Sequence, residues 1–93
     1  RNMKINIAKV LEEKLREHLK PSYLEVRDDS HKHQGHVGWN KEGQTHFHIT
    51  VVSDKFNGYS KIDRHRIINK ILEDEIAIIH ALSIKASISS ELS

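Results

Sequence analysis

The chain contains no cysteine. That absence excludes a disulfide scaffold, a thiolate-ligated zinc site and a cysteine nucleophile. Proline occurs once, at Pro21, and glycine only four times. No low-complexity linker, internal repeat or domain boundary can be drawn. No apolar run approaches the ~20 residues of a membrane span, and no secretory signal pattern is read at the start. Charge of one sign is scarce as well: 15 Lys+Arg against 13 Asp+Glu leave +2. A domain that lives on phosphate contacts usually carries a larger excess or a basic stripe.

What is present fits one small domain. Domains most often hold ~100–150 residues, and this chain has 93. A chain of this length buries only roughly 60–65% of the surface its unfolded form exposes, which is enough for one modest core. The unusual residue is histidine, with eight copies, five of them between positions 31 and 48. Histidine titrates near neutrality and is the commonest metal ligand.

Residues 5–19 read as an amphipathic helix. Ile7, Leu11, Leu15 and Leu19 recur every four positions, the spacing that lines one helical face. Asn6 is a candidate N-cap, and Pro21 ends the element. Residues 23–28 alternate weakly and read as a strand. Residues 29–44 show no periodicity and contain Gly35, Gly38, Asn40 and Gly43, so they read as a long polar loop. Loops longer than ~12–15 residues are usually functional or disordered. Residues 45–53 form the clearest strand, with Phe47, Ile49 and Val51 on one face and His46, His48, Thr50 and Val52 on the other. The two strands are expected to pair antiparallel around the loop.

A turn at Phe56-Asn57-Gly58-Tyr59 follows. Ser60 and Asp63 have the spacing of a capping box. The helix they open is expected to run to about Ile76. Residues 80–86 alternate again and read as a third strand, and the serine-rich tail, 87–93, is expected to fray. A helical crossover of this length permits parallel pairing of the second and third strands. The expected fold is α+β: one domain with a core at about 5–86, a three-stranded mixed sheet and the helices on one face.

Nothing points to an enzyme. There is no G-x-S-x-G, no phosphate-cradling glycine loop and no H-E-x-x-H. Asp28 and Asp29 are adjacent, so on a strand they diverge. The histidines carry more. His31, His33 and His36 stand in the loop as H-x-H-x-x-H, and His46 and His48 share a strand face. Such imidazoles could serve a borderline or soft metal, or be polar filler. His80 opens the third strand, where a lone histidine is commonly a core residue. Parallel pairing, however, places the starts of the second and third strands at one end of the sheet, beside the 29–44 loop. That brings His80 and the loop histidines to the same end. Separately, Arg64-His65-Arg66 at the start of the second long helix forms a basic turn that could contact phosphate, or simply a solvated face.

The residues Leu24-Glu25-Val26, Asp29-Ser30, His33, Thr45-His46-Phe47, Val52-Ser53, Phe56-x-Gly58, Arg64-His65-Arg66 and His80-Ala81-Leu82 occur in this order. Taken together they resemble the BolA-like proteins, particularly the bacterial and mitochondrial-type members with a histidine in the first loop. The resemblance implies an α-β-β-α-α-β fold similar to class II KH domains, with a short helical turn near residues 55–60. It implies a monothiol glutaredoxin with a C-G-F-S motif as partner in a heterodimer. It also implies a [2Fe–2S] cluster shared with that glutaredoxin and glutathione, in cluster assembly, trafficking or iron sensing. The ligands it implies here are His33 and His80, with His31, His36 and His46 as substitutes or supporting groups. Without cysteine, the isolated chain is expected to hold no cluster. The alternative activity in such proteins is DNA-binding transcriptional regulation, for which Lys61, Arg64, Arg66 and Lys70 are the candidate contacts. The G-x-x-G clamp of KH domains is absent. The resemblance implies a cytoplasmic location in a bacterium, or the mitochondrial matrix in a eukaryote, and no membrane association.

Overall fold

The computed structural model describes residues 6–30 and 45–92. Helix α1 spans Ile7–Leu19 and buries Ile7, Leu11, Leu15 and Leu19, the four-residue repeat read from the sequence. Asn6 caps it, its side-chain oxygen accepting from the Lys9 backbone N–H at 3.2 Å. Arg16 and His18 lie in its last turn, where positive charge meets the negative end of the helix dipole. Lys20 then takes a left-handed conformation with φ 45°, and Pro21 prevents the helix from resuming.

Strands β1 (Tyr23–Asp28) and β2 (His46–Val52) pair antiparallel, and β2 pairs in parallel with β3 (Ala81–Ser87). The strand order is β1-β2-β3. The register sets Val26 beside Ile49 and Ile49 beside Ile84. One sheet face is therefore continuous and apolar: Leu24 and Val26, then Phe47, Ile49 and Val51, then Leu82, Ile84 and Ala86. It packs with Leu11, Leu15, Phe56, Ile68 and Leu72 into a single core.

A 3-10 turn at Asp54–Phe56 follows β2 and drives Phe56 fully into the core. Helix α2 spans Lys61–Ile71, and Ser60 caps it by accepting from the Asp63 N–H at 3.1 Å. The continuous helix expected to reach Ile76 is broken at Leu72, where φ −104° and ψ 18° leave the helical range. Helix α3, Glu73–Ile76, follows. No glycine or proline marks the break. Leu72 is fully buried, so burial of its side chain accompanies the bend. Lys14 of α1 meets Glu75 of α3 at 2.9 Å, and that contact raises the lysine pKa.

The tail departs from the expected frayed end. Beyond β3, Ser89–Leu92 forms another 3-10 turn. The Ser89 N–H donates to Asp54 Oδ1 at 3.1 Å, and Glu91 binds Arg64. A buried guanidinium needs a partner, and the tail supplies it. Among the described residues no helix is long and apolar enough to cross a membrane.

Candidate functional site

Parallel pairing opposes His46 to Ala81, so β2 and β3 begin side by side. His80 lies one residue before β3. Its backbone N–H donates to the Thr45 carbonyl at 2.8 Å, and the Ala81 N–H reaches the same oxygen at 3.0 Å. The His80 ring lies against that of His46, with centroids 4.9 Å apart and planes tilted by 51°. The two differ in exposure: His46 is 7% exposed, whereas His80 is open to solvent. The buried ring is further held through Nδ1, which is 2.8 Å from the Thr45 hydroxyl.

The same end of the sheet carries residues 30 and 45, on either side of segment 31–44. Ser30 is almost completely buried, and its hydroxyl oxygen accepts from the backbone N–H of Thr45 at 2.8 Å and of His46 at 3.1 Å. Its own N–H donates to Asp28 Oδ1 at 2.9 Å. The Asp29 N–H donates to the His46 carbonyl at 2.7 Å. Residues 30 and 45, which flank segment 31–44, thus meet beside His80. The loop candidates His31, His33 and His36 lie outside the described residues.

His48 does not join this group. Its Nδ1 is 3.1 Å from the Ser83 hydroxyl and its Nε2 is 3.1 Å from that of Thr50. Both nitrogens are engaged on the open sheet face, so the two-residue spacing from His46 does not make the rings converge. Among the described residues no group of three or more His, Cys, Asp or Glu side chains is arranged to hold a metal ion. Ser30 and Thr45 were not legible as site residues. Nothing in the periodicity marks them; their signals are that they flank segment 31–44 and stand in the Asp29-Ser30 and Thr45-His46-Phe47 stretches that carry the family resemblance.

The basic helix reads differently in three dimensions. Arg64 is 5% exposed, so it does not offer phosphate the surface contact expected of it. Its Nη1 and Nη2 donate to the two Glu91 carboxylate oxygens at 2.8 and 3.0 Å. Its Nε donates to the Tyr59 carbonyl at 3.0 Å and Nη1 also to that of Ala86 at 3.1 Å. The guanidinium therefore fastens the start of α2 to β3 and the tail. The hydrogen bond from Arg64, helped by the Ile88 N–H, lowers the Glu91 pKa to about 2. Lys61, Arg66 and Lys70 remain exposed. Arg66 pairs with Asp63 at 3.1 Å and Lys70 with Glu73 at 3.3 Å, contacts that exposed side chains exchange readily with solvent.

A family model described as BolA-like protein matches residues 15–91. The chain belongs to the BolA-like family. The BolA domain of SufE1 from Arabidopsis thaliana superposes with TM-score 0.84 at 41% identity, covering 97% of this chain and 100% of that one. BolA1 from the same plant also gives 0.84, at 33% identity over 97% of this chain and 100% of that one. In sequence, the chain is 42% identical to Arabidopsis "SufE-like protein 1, chloroplastic/mitochondrial", matching over 88% of its own length but spanning only 24% of that protein. It is 38% identical to the "DNA-binding transcriptional regulator BolA" of Vibrio cholerae, covering 91% of this chain and 77% of that protein. Relatives of the family thus occur in bacteria and under chloroplastic or mitochondrial names, and their names include both a SufE-like protein and a transcriptional regulator.

Proposed function

We propose that this chain is a binding adaptor, not an enzyme. It pairs with a monothiol C-G-F-S glutaredoxin and contributes His80 and His33 to a [2Fe–2S] cluster shared with that partner and glutathione, in cluster assembly, trafficking or iron sensing. The observation that carries the reading is the exposed His80 imidazole beside the buried His46 ring, at the end of the sheet where residues 30 and 45 meet. The donor set suits a shared site. It offers imidazole without thiolate, and among the described residues it is not sufficient for a metal by itself. In this reading the remaining ligands come from the histidines of segment 31–44 and from a thiolate-bearing partner. The cluster would supply redox and transfer chemistry, and the chain's part is to hold imidazole nitrogens at the rim. His46, buried and engaged by Thr45, suits support of His80 better than ligation. The location that goes with this reading is the cytoplasm of a bacterium or the mitochondrial matrix.

The test is to mix the chain with a C-G-F-S glutaredoxin, iron, sulfide and glutathione. Visible absorption and circular dichroism should report a mixed sulfur–nitrogen centre that neither protein alone forms on the histidines. Spectra unchanged by the His33→Ala/His80→Ala double substitution would overturn the ligand assignment.

A second reading, DNA binding, is favoured by the exposed Lys61, Arg66 and Lys70 on α2 and by the printed names of bacterial relatives. Arg64, occupied by Glu91 inside the fold, takes no part in it. The diagnostic is steep salt dependence of duplex binding, since each neutralised phosphate releases counterions.

A further inference from the structure

We infer that Ser30 and Thr45 are positioning residues for His80, a role that rests on the cluster-binding reading. Five hydrogen bonds join them to each other, to His46 and to the start of β3. The Ser30 hydroxyl accepts from the backbone N–H groups of Thr45 and His46. The Thr45 carbonyl accepts from the N–H groups of His80 and Ala81. The Thr45 hydroxyl engages His46 Nδ1, and the His46 ring then meets the His80 ring.

The arrangement constrains His80 in two independent ways. Its backbone is tied to Thr45, and its ring rests on a neighbour whose orientation Thr45 sets. Ser30 and Thr45 are 2% and 8% exposed, so water competes little for these bonds and their geometry persists. The Thr45 hydroxyl, which can donate or accept, engages His46 Nδ1 in either tautomer and fixes the plane of the ring. Groups that orient a ligating histidine through its surroundings typically change metal affinity by roughly 10–100-fold when removed. Ser30 and Thr45 flank segment 31–44 in the chain, so the bonds that set His80 also hold residues 30 and 45 together.

Thr45→Val removes the hydroxyl and keeps the branched shape, Thr45→Ser restores it, and Ser30→Ala removes the acceptor of two buried N–H groups. Two readouts apply to each variant. In the free protein, the imidazole 15N and 1H resonances of His46 and His80 are recorded. In the complex with glutaredoxin, the half-life of the cluster against a chelator is measured. Thr45→Val should move the ring resonances of both histidines, leave the amide spectrum of α1 and α2 in place, and shorten the half-life about tenfold. Thr45→Ser should return both towards the parent values. If Ser30→Ala fails to fold, Thr45→Val alone decides. His80 ring resonances or a cluster half-life unchanged in Thr45→Val overturn the inference. His80→Ala is the separate control. A cluster indifferent to it removes the cluster-binding reading, and the ring resonances of the free protein still decide whether Thr45 positions His80.

Discussion

Arg64 and Glu91 form a two-pronged ion pair, with guanidinium nitrogens 2.8 and 3.0 Å from the two carboxylate oxygens, between the first turn of α2 and the C-terminal turn. Two parallel N–H to oxygen bonds match the fork of a guanidinium to a carboxylate. The pair converts a residue that looks like a surface base into an internal fastener. It also recruits a tail that composition alone would leave loose.

Acid should loosen this fastener. Glu91 ordinarily titrates near 4.5 and is held at about 2 in the folded chain. Its contribution is therefore fully present above about 4.5 and is lost as pH falls towards about 2. Urea denaturation of the parent and of Glu91→Gln should differ at neutral pH and converge over that window. A difference that does not change with pH would contradict the assignment. Arg64→Ala should cost more than Glu91→Gln, because it also strips the Tyr59 and Ala86 carbonyls of a donor.

The shared cluster should depend most on His80. No other histidine lies near the start of β3 in sequence, whereas His33 has His31 and His36 as neighbours in the same segment. His80→Ala should abolish the mixed-ligand spectrum and His33→Ala should weaken it. The heterodimer without cluster should survive both substitutions, as size-exclusion chromatography would report.

On duplex DNA, Arg66→Ala and Lys70→Ala should each weaken binding to all sequences alike and reduce the salt slope by about one. Arg64→Ala should act through stability, since its guanidinium is occupied inside the fold. A base-specific loss at Arg66 would count against phosphate contact as the mode.

Two backbone positions should respond in opposite directions. Lys20 carries a positive φ at the end of α1, where glycine is the usual residue. Lys20→Gly should raise stability by about 1 kcal/mol, the scale of the left-handed penalty it relieves. Gly58 has φ 88°, and an added Cβ meets no atom within 4 Å. Gly58→Ala should therefore cost about 1 kcal/mol through backbone conformation alone. Chemical denaturation of both variants checks the pair.

The sequence by itself determined the main helices and strands and the faces they bury. Period-four leucines specify the buried face of α1, and strict alternation specifies which side of β2 meets the helices. The length of the crossover allows β3 to run parallel to β2, and that topology alone brings His80 to the end of the sheet where β2 begins. Tertiary structure decided the rest. Arg64, Ile68 and Leu72 share one buried stripe, a four-residue spacing visible in the sequence. A charged residue on such a stripe is read as exposed until its partner is known, and Glu91 lies 27 positions away. The bend at Leu72 has no local breaker to announce it. Ser30 and Thr45 are ordinary residues in one dimension. They become a support for His46 and His80 only because residues 15 positions apart in the chain are brought within hydrogen-bond distance, and hydrogen bonds depend on positions in space that local periodicity does not encode.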